Sequence, residues 1–254
     1  MKSLTLSALL LMACQGITPL KPAKPLDPKD AGSVLEHAAF NTRSQGSYET
    51  KFKARLTTSG APLDYEGNCV WVHPGVLFVH YTASGGDEKM IVRAGEKDVW
   101  VFNLFAGWVT ADQAGMAGAG RGIQNPDEVL AVVARHSGAA KLLKPGVVEL
   151  TFTGEDIEKI MKEQGNKGAF LWNQSSAKLE VSVDGENRLQ RFTCDATLKP
   201  SDPAVKGTIG YTAEVTIVGY NGAKDMKFFD EKKREIPLLP EMKMKIESVL
   251  KEKN

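Results

Sequence analysis

Long apolar runs are scarce in the 254-residue sequence, the most pronounced being the stretch from Leu4 to Ala13, broken only by Thr5 and Ser7. At about ten residues it is half of what a helix needs to cross a bilayer. No other stretch is long and apolar enough to read as a membrane-spanning helix. Histidine is scarce: His37, His73, His80 and His136 are scattered, and none falls in the His-Glu-x-x-His spacing that presents two imidazoles to zinc from one helix face. The Gly-x-Ser-x-Gly turn that exposes a serine nucleophile is absent. Gly118-Ala-Gly120-Arg-Gly122 does not follow a strand pattern directly and lacks the Gly-Lys-Ser/Thr ending of a phosphate loop, so it reads as a flexible connection. Glu155 and Asp156 are neighbouring acids at a helix start, where the helix dipole alone accounts for them. Neither sign of charge is in excess, with 32 Lys and Arg against 31 Asp and Glu. No basic stripe interleaves with aromatics, which argues against nucleic-acid binding. These absences leave no catalytic residue, metal ligand or cofactor to nominate, and the chain is not expected to be an enzyme. A hydrolase site assembled from distant residues is the weakest alternative.

What is present begins at the amino terminus. Lys2 and the free amine form a short positive segment before the Leu4–Ala13 run, the layout of a signal peptide. The run closes on Leu11-Met12-Ala13-Cys14, which resembles the bacterial lipobox, where cleavage precedes a cysteine carrying a diacylglycerol. This reading expects residues 1–13 to be removed and Cys14 to be the lipid attachment that tethers the chain to a membrane. An ordinary secretory signal is the alternative. Pro19, Pro22, Pro25 and Pro28 then recur every third residue among lysines. That spacing suits an extended polyproline II tether over residues 14–32. The remainder, 33–254, has the size of one domain. With Cys14 acylated, Cys69 and Cys194 remain as an even pair in an oxidising compartment. They read either as a disulfide or as two buried free thiols.

Along the domain, Ser33–Phe40 reads as a short amphipathic helix with Ser33 as its N-cap. Tyr48–Leu56 then alternates, with Glu49, Lys51, Lys53 and Arg55 on one face. This is the pattern of a half-buried antiparallel strand. Strands are expected at 63–73, 76–83, 89–94 and 97–105, with a short piece at 108–111. The turns between them fall at Pro74-Gly75, Ser84-Gly-Gly-Asp and Gly95-Glu96. Gly115–Gly122 reads as a loop. Asn125 caps a helix opened by Pro126 and running to Arg135. A strand at 147–153 leads to a helix at 155–164 ended by Gly165, then a hairpin of 178–183 with 188–198, and a strand at 207–220. Ile236–Pro240 reads as extended and Glu241–Lys251 as a terminal helix. Helices grouped against about nine antiparallel strands define an α+β layer fold, and a sheet of that size curls strongly.

In this order the chain resembles the LolA/LolB-like superfamily of lipoprotein carriers, and within it the LppX/LprG-type lipoproteins. The likeness covers about 33–235. It rests on the charged strand at Tyr48–Thr58, the strand from Gly67 to Pro74, the Gly95–Phe102 strand closing on Gly107-Trp108, and the Pro126–Leu130 helix between two halves of the sheet. The resemblance implies a strongly curved antiparallel sheet, an incomplete β-barrel with helices plugging its open side and an acyl-chain cavity between them. The segment 103–122 and the helix after Pro240 depart from the pattern.

A cavity for alkyl chains needs apolar area, which contributes about 25 cal/mol per Å². The expected lining is Phe52, Leu56, Tyr65, Trp71, Leu77, Val79, Tyr81, Met90, Val92, Trp100, Phe102, Leu104, Phe105 and Trp108. The function this implies is an exported, envelope-located lipoprotein, on the outer membrane or a periplasmic face, that binds or carries a lipid or other lipophilic ligand. The competing reading is an envelope protein–protein interaction module with a filled core.

Overall fold

The computed structural model describes residues 20–58, 60–95, 97–115, 125–136, 140–163, 170–204, 206–222 and 224–251. The signal segment, Cys14, the first part of the tether, most of the Gly115–Gly122 loop and Gly165 lie outside them.

Eleven strands form one antiparallel sheet: β1 (Ser47–Thr57), β2 (Leu63–Val72), β3 (Val76–Ala83), β4 (Asp87–Ala94), β5 (Asp98–Asn103), β6 (Gly107–Thr110), β7 (Ala140–Lys144), β8 (Val147–Phe152), β9 (Ser176–Val183), β10 (Leu189–Leu198) and β11 (Ile209–Tyr220). Their order is β6-β5-β4-β3-β2-β1-β11-β10-β9-β8-β7. β1 sits in the middle, paired on one side with β2 and on the other with β11. The two ends, β6 and β7, do not pair with each other, so the sheet is not closed. The fold is α+β, an incomplete barrel with helices against it. A two-stranded ribbon, β12 (Phe228–Phe229) with β13 (Glu235–Ile236), stands apart from this sheet.

Among the described residues four α-helices accompany it: α1 (Ala31–Arg43), α2 (Pro126–Arg135), α3 (Gly154–Glu163) and α4 (Pro240–Lys251). The first begins earlier than Ser33. Its N-cap is Asp30, whose carboxylate accepts from the Gly32 amide, while the Ser33 hydroxyl accepts from Asp27. Asn125 holds the N-cap position of α2, followed by Pro126, but its side chain makes no cap bond. β7 and β12 form where the sequence predicts no strand, β13 meets the start of the extended stretch expected at Ile236–Pro240, and Leu104 and Phe105 fall in the turn after β5 rather than within it.

Register assigns each strand residue to a face, because directly paired residues point the same way and neighbours alternate. One face is apolar from β8 to β3 and continues through Ile91 and Val101, with Asp87, Lys89 and Arg93 of β4 as charged positions on it by register. A representative row runs Leu150–Leu179–Cys194–Ala213–Ala54–Tyr65–Ala83 from β8 to β3. Over β8–β11 this face is buried beneath α1, α2 and α3 in the largest core cluster, which includes Leu35, Leu130, Ile157, Met161, Leu179 and Tyr211. The opposite face of the same half is charged and wet. There Arg191–Glu214 and Lys178–Glu149, each at 2.8 Å, bridge neighbouring strands, and Lys53–Glu66 at 3.3 Å continues the charged face across β1 and β2.

The β2–β6 half differs: both of its faces are apolar. On the second face, Val70, Phe78, Met90, Val92, Trp100 and Trp108 pack beneath Phe228 and the α4 residues Met242 and Ile246.

Candidate functional site

The first face of the β1–β5 half carries the separate cluster Tyr48, Cys69, Trp71, Leu77, Val79, Ile91 and Val101, with Ala111 beyond β6. Phe52, Tyr81, Val99, Ile217 and Tyr220 pack around it. Among the described residues this cluster is drawn from strands, without a helix residue. Two cross-strand rows build it: Tyr220–Tyr48–Trp71–Leu77–Arg93–Val99, and Ile217–Thr50–Cys69–Val79–Ile91–Val101–Val109. The Arg93 guanidinium lies 5.5 Å from the Trp71 ring centre, a cation–π contact at one edge of the patch.

Phe52, Gly67 and Tyr81 lie side by side in register, and the two rings meet 6.3 Å apart across the glycine. A Cβ on Gly67 would stand 2.3 Å from the His80 carbonyl oxygen and 2.5 Å from the Tyr81 Cβ. Gly67 thus lets β2 and β3 approach closely beneath the aromatic pair.

The expected lining divides between two faces. Phe52, Leu56, Tyr65, Trp71, Leu77, Val79 and Tyr81 lie on the face just described, with Leu56 in the helix-covered half. Met90, Val92, Trp100, Phe102 and Trp108 lie on the opposite one, under α4. Ile91 and Val101 take their places on the first face. The reason is parity. Val79 pairs with Ile91 and Leu77 with Arg93, so Met90 and Val92 must point away. In Met90-Ile91-Val92 every position is apolar, and alternation gives no sign of which face is which; the charge that marks the phase, Arg93, sits on the apolar face. Leu104 and Phe105 line nothing, being 74% and 99% exposed.

Cys69 and Cys194 are free thiols, both buried. They share a face but sit on β2 and β10, three strand spacings apart, or about 14 Å, which is beyond the reach of a disulfide. Burial pushes each thiol up to about 12, so neither is a thiolate nucleophile at neutral pH.

A polar knot ties the patch to the helices. The Tyr48 hydroxyl, fully buried, donates to Asp127 Oδ1 at 2.6 Å and also lies against Asn125 Oδ1. Arg43 at the end of α1 reaches Asp127 Oδ2 at 3.3 Å and Glu128 at 3.6 Å. His73, in the β2–β3 turn, stands 4.0 Å from Asp127 and stacks at 5.6 Å on Tyr48. Burial raises the Asp127 carboxyl and the Tyr48 phenol above their ordinary values; Arg43 opposes both shifts. Nothing local in the sequence announces this knot, whose members come from positions 43, 48, 73 and 127. Among the described residues no group of His, Cys, Asp or Glu is arranged to hold a metal ion, and no helix is long and apolar enough to cross a membrane. The arrangement offers apolar area bounded by a rigid polar hinge.

No sequence-family model and no curated protein matches the chain. Solved structures do. LprF from Mycobacterium bovis is 11% identical, with 77% of this chain and 94% of that one aligned and a TM-score of 0.38. A DUF1329 family protein from Desulfovibrio piger is 10% identical, covering 79% and 95%, with a TM-score of 0.35. A Vibrio parahaemolyticus domain named for outer membrane lipoprotein sorting is 6% identical, covering 78% and 95%, with a TM-score of 0.31. The architecture itself rests on the strand order and register given above.

Proposed function

We propose that the protein binds a lipid or other lipophilic ligand on the apolar face of its β1–β5 half, while held at the cell envelope by an acylated Cys14. The observation that carries this is the continuity of one apolar face. Over β8–β11 it is covered by three helices, whereas over β1–β5 the described members of its cluster are strand residues. Alkyl chains offer no polar handle, and the buried side chains of Trp71, Leu77, Val79, Ile91 and Val101 are the apolar area that their binding would draw on. The knot at Asp127 ties the start of α2 to Tyr48 at the edge of this face.

Native extraction followed by mass spectrometry of the bound fraction is the test, coupled to a photoactivatable fatty acid. Lipid should co-purify, and label should map to peptides of β2–β5 containing Trp71, Val79 and Ile91. A ligand-free spectrum, or label confined to the Trp100 and Trp108 face, would overturn the proposal. A stoichiometric protein partner recovered without lipid would favour the competing docking-module reading.

A further inference from the structure

We infer that the β5–β6 turn, Asn103–Gly107, is a tip that dips Leu104 and Phe105 into the surface of a lipid bilayer. This goes beyond ligand binding and concerns where the protein touches a membrane. Leu104 and Phe105 are adjacent, large and apolar, yet they stand 74% and 99% exposed. The turn that carries them is held in one shape. Asn103 Oδ1 accepts from the amides of both Phe105 and Ala106, at 2.8 and 3.2 Å, and Gly107 takes the positive φ of 73° that closes it. The base is pinned as well. Trp108 packs edge-on against Phe102 and Phe228, and its indole N–H donates to the Pro237 carbonyl at 3.1 Å. Two largely exposed apolar side chains on a preorganised turn lose little entropy on insertion, so their transfer out of water appears as affinity.

The surroundings fit a bilayer rather than a protein pocket. The tip lies at the end of the strands away from Ser47, since Ser47, Val72, Val76, Ala94 and Asp98 are linked in register at the other end. The other two turns at the tip's end of this half are residues 58–62, Thr-Ser-Gly-Ala-Pro, and 84–86, Ser-Gly-Gly. With 103–107, Asn-Leu-Phe-Ala-Gly, the connecting residues carry no charge, the nearest charge being Asp87 at the start of β4, which keeps the desolvation cost of approaching a membrane low. The tether joins the domain away from the Asp127 knot. Arg43, the last residue of α1, is fixed at the Asp127 knot beside the start of β1. The 13 residues of α1 carry its first turn about 20 Å away from that knot. Leu20 to Ala23 then lie beside Ala134 and Arg135, at the end of α2 opposite Asp127.

The test uses the mature chain, residues 14–254 with Cys14→Ser, so that neither an acyl chain nor the Leu4–Ala13 segment contributes, and vesicles of phosphatidylethanolamine and phosphatidylglycerol. Co-sedimentation should fall at least about tenfold when L104S and F105S are introduced together. In F105W the binding should persist, with emission shifted to the blue and quenched by brominated acyl chains. Both positions are solvent-exposed, so near-UV circular dichroism should stay unchanged. Equal sedimentation of parent and double variant overturns the inference. So does tip-dependent self-association without vesicles, which would make the tip a contact between copies. Lipid content of the purified proteins keeps the two readings apart: a double variant that retains lipid but leaves the vesicles supports the tip, whereas a lipid-free parent that still needs the tip for vesicles sinks only the carrier.

Discussion

Asp127 has no solvent exposure and shares its carboxylate between the Tyr48 hydroxyl and Arg43. Burial raises its pKa despite the guanidinium, so the folded chain binds that proton more tightly than the unfolded one. Its contribution is therefore fully present below the usual carboxylate range and is lost as pH rises through the raised value. Acidification across that window should add stability in the parent and add less in Asp127→Asn, as read from thermal midpoints at successive pH values. Tyr48→Phe removes the donor to a buried carboxylate and should cost about 1–3 kcal/mol in urea unfolding. The two thiols give a second expectation at this scale. Buried, and pushed up to about 12, Cys69 and Cys194 should resist aromatic disulfide reagents in the folded state and react fully in urea. Residue-level roles of this sort were barely legible in the sequence. Asn125 has the type and position of a helix cap, and it does stand there, but its side chain turns to Tyr48, a partner 77 positions away.

Strands with charge on one face and bulk on the other were legible to within a residue or two. β1 and β3 emerge nearly as the alternation and the turn residues predict. β7 was not, because Ala140-Lys-Leu-Leu-Lys lacks strict alternation and carries an irregularity between Leu142 and Lys144. The faces of β4 and β5 were not either. These strands are apolar on both sides, since one side meets the Trp71–Val79 patch and the other meets α4. A period of two is informative only where one face is wet. The contact between β2 and β3 yields a prediction at this scale. Gly67→Ala would place a Cβ 2.3 Å from a backbone oxygen, and backbone cannot swing aside as a side chain can. The substitution should destabilise by about 1–3 kcal/mol and should disturb Phe52 and Tyr81 above it, visible as a changed tyrosine near-UV band. An unchanged midpoint would mean that the strands are less tightly apposed than their register implies.

At the scale of the molecule, the open sheet has two different outer arrangements. The β8–β11 half exposes a lattice of ion pairs to water, while the β2–β6 half would expose Val70, Phe78, Val92, Trp100 and Trp108 if nothing covered them. The C-terminal stretch supplies the cover through Phe228, Met242 and Ile246, which turns the back of the first half into a second core. This is the departure from the LolA-like pattern that the sequence marked as an extra helix, without revealing which face it would seal. A pair of neighbouring methionines separates docking from mere helicity. Met242 has no exposure and Met244 is 71% exposed, though they sit two positions apart on the same helix. Met242→Asp forces a charge against Trp-rich apolar surface and should cost several kcal/mol. Met244→Asp should stay within about 0.5 kcal/mol of the parent. Urea midpoints measure both. Since aspartate affects helix propensity similarly at the two sites, a large difference can arise only from the docked face. Equal midpoints would show that α4 does not seal the sheet, and would leave the Trp100 and Trp108 surface open to compete with the Trp71–Val79 face for any lipophilic ligand.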